Sequence, residues 1–236
     1  MSEADDPEGN QLTATEPDGR TAALEGLRLT LPLAVAVFGF GVSFGAVARA
    51  AHLGWLAPLI MSATSFAGSA QFAAASILGT GGGIAAAVTA AVMLNSRYLA
   101  IGISVASAIR GHPVRRLLSA QLVVDESWAV SNLGGGRFSY GRLISSGLLL
   151  YLAWLTGTAL GVFGAGFLGD PKRFGLDVMS PVLFLALLCN QVRSRSAATS
   201  AVLGAAIALA LVPFVSPGVP LIVASAACLL GLRTRS

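Results

Sequence analysis

The chain has 236 residues, of which 55% are hydrophobic and only 11% are charged, and its formal net charge is +4. About 25% of the residues in a soluble globular domain are charged, so this composition excludes that class. The apolar residues fall into successive blocks long enough for membrane helices, which need about 20 residues each. We therefore predict an all-α polytopic membrane protein. Its basic residues are scattered rather than clustered, which argues against a nucleic-acid-binding patch.

The first 28 residues differ from the rest of the chain in charge. They contain seven acidic and two basic residues together with proline and glycine, a composition typical of a disordered segment. We therefore expect a disordered acidic tail at residues 1–28, a single transmembrane transport domain at 29–232 and a basic cytoplasmic tail at 233–236.

Hydropathy predicts seven membrane spans, at about 29–48, 55–78, 84–109, 143–168, 176–192, 197–215 and 218–232. Residues 117–133 are only half apolar, so we expect them not to cross the membrane; if they crossed, the count would be eight. With seven spans, ten of the 15 basic residues lie on one side of the membrane. Basic loops stay in the cytoplasm, which predicts a cytoplasmic C-terminus and an N-terminus on the other side.

The first and fourth spans contain similar glycine pairs, in Gly41-Val-Ser-Phe-Gly45 and Gly157-Thr-Ala-Leu-Gly161. With seven spans, the two halves of the chain enter the membrane from opposite sides. Inverted repeats of this kind are typical of secondary transporters, in which the substrate binds near the membrane midplane. On this reading Gly41, Ser43 and Gly45 border a substrate site. The alternative is ordinary close packing of helices through small residues four positions apart.

The second span has an unusual polar interruption. Gly68 leaves room for a close approach, and Gln71 offers both a hydrogen-bond donor and an acceptor. The span also contains four serines that share one face of a continuous helix. Such a face either borders a substrate or holds neighbouring helices together. We favour a substrate-facing surface for the cluster as a whole; the serines are Ser62, Ser65, Ser69 and Ser76.

Arg97 is the one basic residue well inside a predicted span, where Asn95-Ser-Arg97 interrupts the third apolar block. An unpaired guanidinium inside a membrane costs at least about 2.5–3.5 kcal/mol. We therefore expect Arg97 to face an acidic side chain, helix-end carbonyls or a substrate carboxylate, which it can bind through two parallel hydrogen bonds. The alternative is that its long side chain reaches the membrane interface. Asn95 points to a different part of the helix surface.

Asp125 and Glu126 are the only adjacent acidic residues after the N-terminal segment. A carboxylate in a partly desolvated site has a raised pKa and can bind and release protons. These acids would then serve proton coupling or pair with Arg97. The alternative is that residues 117–133 lie amphipathically in the membrane interface, with both acids in water.

The sequence contains little that an enzyme would use. Cys189 and Cys228 lie in apolar runs without a nearby histidine, so we expect neither a disulfide framework nor a metal site. His52 and His112 lie in predicted loops, which argues against a membrane-embedded hydrolase. No glycine-rich nucleotide-binding motif ending in Gly-Lys-Ser is present. We therefore expect neither enzymatic activity nor a cofactor.

Four segments resemble the large subunit of the AzlC-type branched-chain amino-acid exporters, in the order and spacing of that family. The resemblance covers roughly residues 25–232, and Tyr98 stands where the family more usually has a His-like residue. The segments are Gly41-Val-Ser-Phe-Gly45, Ser65-Phe-Ala-Gly-Ser-Ala-Gln-Phe72, Asn95-Ser-Arg97-Tyr98 and Val124-Asp-Glu-Ser127.

The resemblance implies export of valine, leucine, isoleucine or methionine across a bacterial inner membrane, together with a small AzlD-type membrane subunit. Because no nucleotide-binding motif is present, we expect an ion gradient to drive export; the alternative is a separate ATPase. The hypothesis is that Arg97 binds the substrate carboxylate, that Ser65, Ser69 or Gln71 binds the amino group, and that apolar walls hold the side chain. Asp125 or Glu126 then senses the coupling proton. The alternatives are a passive channel for a small neutral solute and a structural subunit of a transport complex.

Overall fold

Two long helices form the centre of the fold in a computed structural model, which describes residues 19–168, 185, 188–189, 192, 195–215, 220 and 223–224. These two helices are α1 (Gly19–Ala50) and α8 (Tyr140–Leu168), and they share the largest contact in the described part of the chain. The remaining elements are α2 (Leu56–Thr64), α3 (Gly68–Gly79), α4 (Ile84–Asn95), α5 (Arg97–Val105), α6 (Pro113–Gln121), α7 (Asp125–Ser131), β1 (Asn132–Gly134), β2 (Arg137–Phe138) and α9 (Arg195–Leu211).

The helical membrane fold predicted from composition is confirmed. Within the described residues, three helical segments are long and apolar enough to cross a membrane: 19–50, 84–105 and 140–164. The structure adds one short antiparallel hairpin, in which β1 pairs with β2 around three glycines with positive φ. The predicted fifth and seventh spans lie outside the described residues, except for a few isolated positions. The total of seven spans therefore stays a prediction.

The first helix begins earlier than expected. Residues 19–28 belong to α1, although we predicted a disordered tail up to residue 28. Two contacts explain the difference: Glu25 forms an ion pair with Arg142 of α8 at 2.7 Å, and Gly26 lies directly against α8 at Ser145. Packing against α8 therefore extends the helix into a segment whose composition alone favours disorder.

The glycine pairs of α1 and α8 pack against each other. A Cβ atom added at Gly41 would lie 2.7 Å from the carbonyl oxygen of Trp154, and one at Gly45 would lie 2.7 Å from the amide nitrogen of Val162. Gly157 and Gly161 of α8 meet the backbone of α1 in the same way. Only glycine permits so close a backbone approach, which is the small-residue packing of membrane helices.

The second predicted span is two helices rather than one. The chain breaks at residues 65–67, where Phe66 has a φ of 39°. The predicted single serine face is therefore wrong, because it required a continuous helix. Ser62 and Ser69 are buried, whereas Ser65 and Ser76 are exposed. The third predicted span is also two helices, α4 and α5, which meet at Ser96 within the polar Asn95-Ser-Arg97 segment.

Residues 113–138 form short elements. Helices α6 and α7 have nine and seven residues, and neither approaches the length of about 20 residues that crosses a bilayer. Pro113 occupies the first turn of α6, and His112 caps it by accepting a hydrogen bond from the amide of Val114. Leu117 and Leu118 are exposed on α6, as expected of an amphipathic helix in the membrane interface.

Candidate functional site

A cavity of about 240 Å³ lies between α1, α3, α5, α7 and α8. It is small beside the roughly 300–1,000 Å³ of pockets for drug-sized ligands, so it suits a small molecule. By chemistry the lining divides into two sets. The apolar set, called the apolar wall below, contains Leu33, Ala36, Val37, Phe40, Phe66, Val124, Leu150 and Trp154, and the set with charged, polar or small residues contains Gly68, Ser69, Arg97, Tyr98, Asp125 and Glu126.

The cavity lies near the middle of the two long helices. α1 contributes residues 33–40 of a helix that runs from 19 to 50, and α8 contributes Leu150 and Trp154 of a helix that runs from 140 to 168. The break between α2 and α3 and the break between α4 and α5 lie at the same depth. Gly68 and Arg97, the first residues of α3 and α5, both line the cavity. Interrupted helices around a central site are a recurring arrangement in secondary transporters.

An ion pair forms the charged part of the cavity wall. Nη2 of Arg97 lies 2.9 Å from Oδ2 of Asp125, and the two side chains retain 30% and 40% of their exposure. Arg97 also donates a long hydrogen bond of 3.4 Å to Oγ of Ser69, and its guanidinium lies over the ring of Tyr98. Nε of Arg97 is buried and has no hydrogen-bond partner among the described residues. The guanidinium is therefore paired and also has donor capacity left.

Side chains from other elements bind the free carbonyls at the break between α2 and α3. Tyr151 of α8 donates a hydrogen bond of 2.9 Å to the carbonyl of Ala63, and Gln121 donates one of 2.8 Å to the carbonyl of Thr64. These bonds satisfy two carbonyls at the end of α2 that a helix end leaves free. At the start of α3, by contrast, Ala67 provides no side-chain cap. The partial positive charge of this helix end lies beside the cavity, at Gly68 and Ser69.

Ser127 positions the two acidic residues. Its hydroxyl accepts a hydrogen bond of 2.9 Å from the amide of Val124 and donates one of 2.8 Å to the carbonyl of Leu122. These bonds fix the start of α7, where Asp125 and Glu126 occupy the first turn. Burial raises the pKa of the Glu126 carboxyl above its ordinary value, and the neighbouring charge of Asp125 raises it further.

Behind the cavity wall lies a buried group of four polar side chains. Trp154 Nε1 and Gln71 Nε2 both donate to Oγ of Ser62, over 3.1 Å and 3.3 Å. Thr158 donates its hydroxyl proton to the carbonyl of Trp154. In the 3.0 Å contact between the hydroxyls of Ser62 and Thr158, Ser62 is therefore the donor. Every hydrogen-bonding position of the Ser62 hydroxyl is then in use.

Five of the residues singled out from the sequence meet at the cavity. The interpretation that Arg97 faces an acid agrees with its ion pair to Asp125. The other predicted site residues are also described, and none of them is part of the cavity wall. Those in the wall are Gly68, Ser69, Arg97, Asp125 and Glu126, and those elsewhere are Gly41, Ser43, Gly45, Ser65, Gln71 and Asn95.

These six residues have other surroundings. Gly41 and Gly45 lie in the contact between α1 and α8. Ser43, which stands between them in the sequence, is buried. Ser65 is exposed at the helix break, and Gln71 belongs to the buried polar group of α2, α3 and α8. Oδ1 of Asn95 is buried without a partner among the described residues.

The sequence predicted apolar walls around the substrate side chain without assigning residues to them, and Trp154 was not among the predicted site residues. Trp154 is the only tryptophan of the fourth predicted span and lies three residues before Gly157. Its position close to the glycine pair is the sequence feature that could have identified Trp154 as a site residue. Tyr98, which we noted only as a departure from the family pattern, lines the cavity and lies 3.5 Å from Asp125 through its hydroxyl.

These features define an α-helical membrane protein with a small, partly charged cavity between interrupted helices. The chain belongs to the AzlC family, because the family model described as "AzlC protein" matches residues 32–168. The family that the sequence motifs suggested is thereby confirmed, and the match contains every cavity residue.

Individual relatives agree with this assignment. The branched-chain amino acid transport protein AzlC of Bacillus subtilis is 28% identical over 77% of this chain and 72% of its own length. An uncharacterized membrane protein of Archaeoglobus fulgidus is 30% identical over 79% of this chain and 83% of its own length. The inner membrane protein YgaZ of Escherichia coli is 27% identical over 80% and 82% of the two chains. No solved structure matches the chain.

Proposed function

We propose that this protein is a carrier that exports branched-chain and other apolar amino acids, among them valine, leucine, isoleucine and methionine, across a bacterial inner membrane. The observation that carries the proposal is the cavity, which combines the Arg97–Asp125 ion pair with an apolar wall. An amino acid has the same combination of groups: one positive charge, one negative charge and an apolar side chain. The name of the Bacillus subtilis relative supports the same substrate class.

The substrate carboxylate binds on the side of Arg97. The free Nε of the guanidinium, the hydroxyl of Ser69 and the uncapped start of α3 all favour a negative charge there. A carboxylate that binds Arg97 competes with Asp125 for the guanidinium. Substrate binding therefore loosens the ion pair that joins α5 to α7.

The substrate ammonium binds on the side of Asp125 and Glu126. This differs from the hypothesis drawn from the sequence, in which Ser65, Ser69 or Gln71 bound the amino group. Ser65 and Gln71 are not part of the cavity wall, whereas both carboxyls are. Asp125, once released by Arg97, regains a cation when the ammonium takes the place of the guanidinium. Each charge of the partly buried pair then keeps an opposite charge, which avoids a partly desolvated lone ion.

We propose a proton gradient as the energy source and a small AzlD-type subunit as the partner. Glu126 is the proton-binding group, because burial raises its pKa while Asp125 is engaged by Arg97. The exposed helix faces of the described segments leave ample surface for a membrane partner.

Counterflow in proteoliposomes tests the proposal directly. Purified protein, with and without a co-purified AzlD-type subunit, is reconstituted with excess unlabelled valine inside and labelled valine outside. A carrier accumulates the label transiently above its equilibrium level, whereas a passive channel only equilibrates it. Absence of both accumulation and flux, with the subunit present, would indicate a structural role instead.

A pH experiment tests the role of Glu126. We expect Glu126→Gln to abolish efflux driven by an imposed pH gradient and to retain valine counterflow, because exchange needs no net proton movement. In the wild type, the raised pKa means that Glu126 holds its proton to a higher pH than an ordinary glutamate, and that it loses the proton as the pH rises through that pKa. Gradient-driven efflux that persists in Glu126→Gln would remove Glu126 from the coupling step.

A further inference from the structure

We infer that the indole of Trp154 sets the upper size limit of the substrate side chain, and that Ser62 and Gln71 hold the indole in place. The inference rests on the proposed transport of apolar amino acids. Trp154 lines the cavity, yet only 4% of its surface is exposed, so it is enclosed on every other side. A wall residue that cannot retreat acts as a fixed limit on what the cavity admits.

Aromatic and backbone contacts enclose the indole. Phe44 stacks on it with ring centroids 5.7 Å apart, and Phe72 meets it edge-on at 6.3 Å. On the side of α3, a Cβ atom at Gly68 would lie only 3.0 Å from Cη2 of the indole. The absence of a side chain at Gly68 thus creates the space that the indole fills.

The hydrogen bonds determine the orientation of the ring. The indole N–H has its acceptor in Ser62, whose own proton is directed to Thr158. Rotation of the ring would leave a buried N–H without an acceptor, which native structures avoid. Gln71 completes the arrangement by donating to the same hydroxyl from α3. Ser62 and Gln71 are therefore positioning residues, which act on the substrate through Trp154.

The substitution Trp154→Phe tests the size limit. Ser62 retains Gln71 and Thr158 as partners in this variant, so we expect it to fold. The cavity gains the space of the missing ring, and phenylalanine and methionine should compete better against labelled valine. We expect their inhibition constants, relative to that of valine, to improve by about tenfold, since one methylene in an apolar pocket changes discrimination by about 10–200-fold.

The substitution Gly68→Ala provides the opposite change. The new Cβ conflicts with the indole, so we expect transport of leucine to fall relative to alanine. The double variant Gly68→Ala/Trp154→Phe removes the conflict and should recover leucine transport. Should Trp154→Phe fail to reach the membrane, Ser62→Ala carries the same test, because it removes the acceptor of the indole N–H without changing a residue of the cavity wall.

Two further variants complete the design. Ser62→Ala removes the hydrogen-bond acceptor of the indole N–H. We expect selectivity to shift in the same direction as in Trp154→Phe, by a smaller factor. A merely structural role of Ser62 would not produce this shift. Trp55→Phe is the matched control, because Trp55 is exposed at the start of α2 and packs on Phe163 outside the cavity wall. Its selectivity should equal that of the wild type.

The outcomes separate this inference from the proposed function. If the wild type transports valine and both Trp154→Phe and Gly68→Ala keep its selectivity, the inference is wrong and the proposed function stands. If the wild type, with its small subunit, transports none of the amino acids, the proposed function fails and the inference fails with it.

Discussion

Replacement of Arg97 by alanine should reduce valine transport by about 30-fold at equal protein level. Removal of one partner of a buried charge pair costs about 2–5 kcal/mol; this pair is only partly buried, so the smaller value applies, which corresponds to about 30-fold. In this protein the change removes the group that binds the substrate carboxylate, and it leaves Asp125 without the cation that lies 2.9 Å away. Arg97→Lys should recover transport only in part, because lysine keeps the charge and lacks the planar pair of donors.

A second substitution separates binding from pairing. If Arg97 only neutralises Asp125, the double variant Arg97→Ala/Asp125→Ala should transport almost as well as the wild type. If both groups bind the substrate, the double variant stays inactive. Arg116→Ala is the control, since Arg116 is exposed on α6, and it should transport normally. Initial rates of labelled-valine efflux, normalised to membrane protein, provide the measurement, and normal rates in Arg97→Ala would rule out the proposed carboxylate site.

Replacement of Gly45 by alanine should strongly destabilise the protein. Its Cβ would overlap the carbonyl oxygen of Thr158 and lie 2.7 Å from the amide nitrogen of Val162. Both contacts are with backbone atoms of α8, which cannot move aside as a flexible side chain does. Overpacking of a tight core typically costs about 1–3 kcal/mol, and here the two long helices α1 and α8 must separate. We expect a much lower yield of monodisperse protein and a lower melting temperature in detergent.

Gly39 is a matched control on the same helix. A Cβ atom at this position would have no neighbour within 4 Å. Gly39→Ala should therefore leave the protein as stable as the wild type or more stable, because alanine favours a helix over glycine by about 0.5–1 kcal/mol. The same experiment tests the interpretation that Gly45 borders the substrate. A Gly45→Ala protein with normal stability and lost transport would favour a substrate role over helix packing.

The interruptions of the helices show how far the sequence analysis reached. Asn95-Ser-Arg97 is a polar interruption of the third apolar block within one predicted span, and the structure has a helix break there, at Ser96. The break at 65–67 was not predicted. Serine, alanine and phenylalanine all tolerate a helix, and the carbonyls freed at Ala63 and Thr64 are satisfied by residues distant in sequence, Tyr151 and Gln121.

The glycine pairs correctly indicated a close approach to the helix backbone, but this pattern had two interpretations. Their similarity suggested an inverted repeat around a substrate site or close helix packing. In the described residues they pack against each other across α1 and α8, and they lie outside the cavity wall. A glycine pair reports that something approaches the backbone closely. Whether the approaching group is a helix or a ligand depends on which segments the fold places opposite.

The sequence by itself determined the membrane class and the family, and it singled out Arg97, Asp125 and Glu126, the charged residues of the cavity wall. The membrane class follows from long apolar runs, which need lipid. Arg97 stands out because a charge inside such a run needs a partner, and the family follows from four short motifs. Only the tertiary structure decided which residues meet. Three features of the site join segments far apart in the chain. They are the Arg97–Asp125 ion pair, the apolar wall with its residues from α1 and α8, and the hydrogen bond from Trp154 to Ser62. Contacts of that kind depend on how the helices pack, which no local pattern in the sequence encodes.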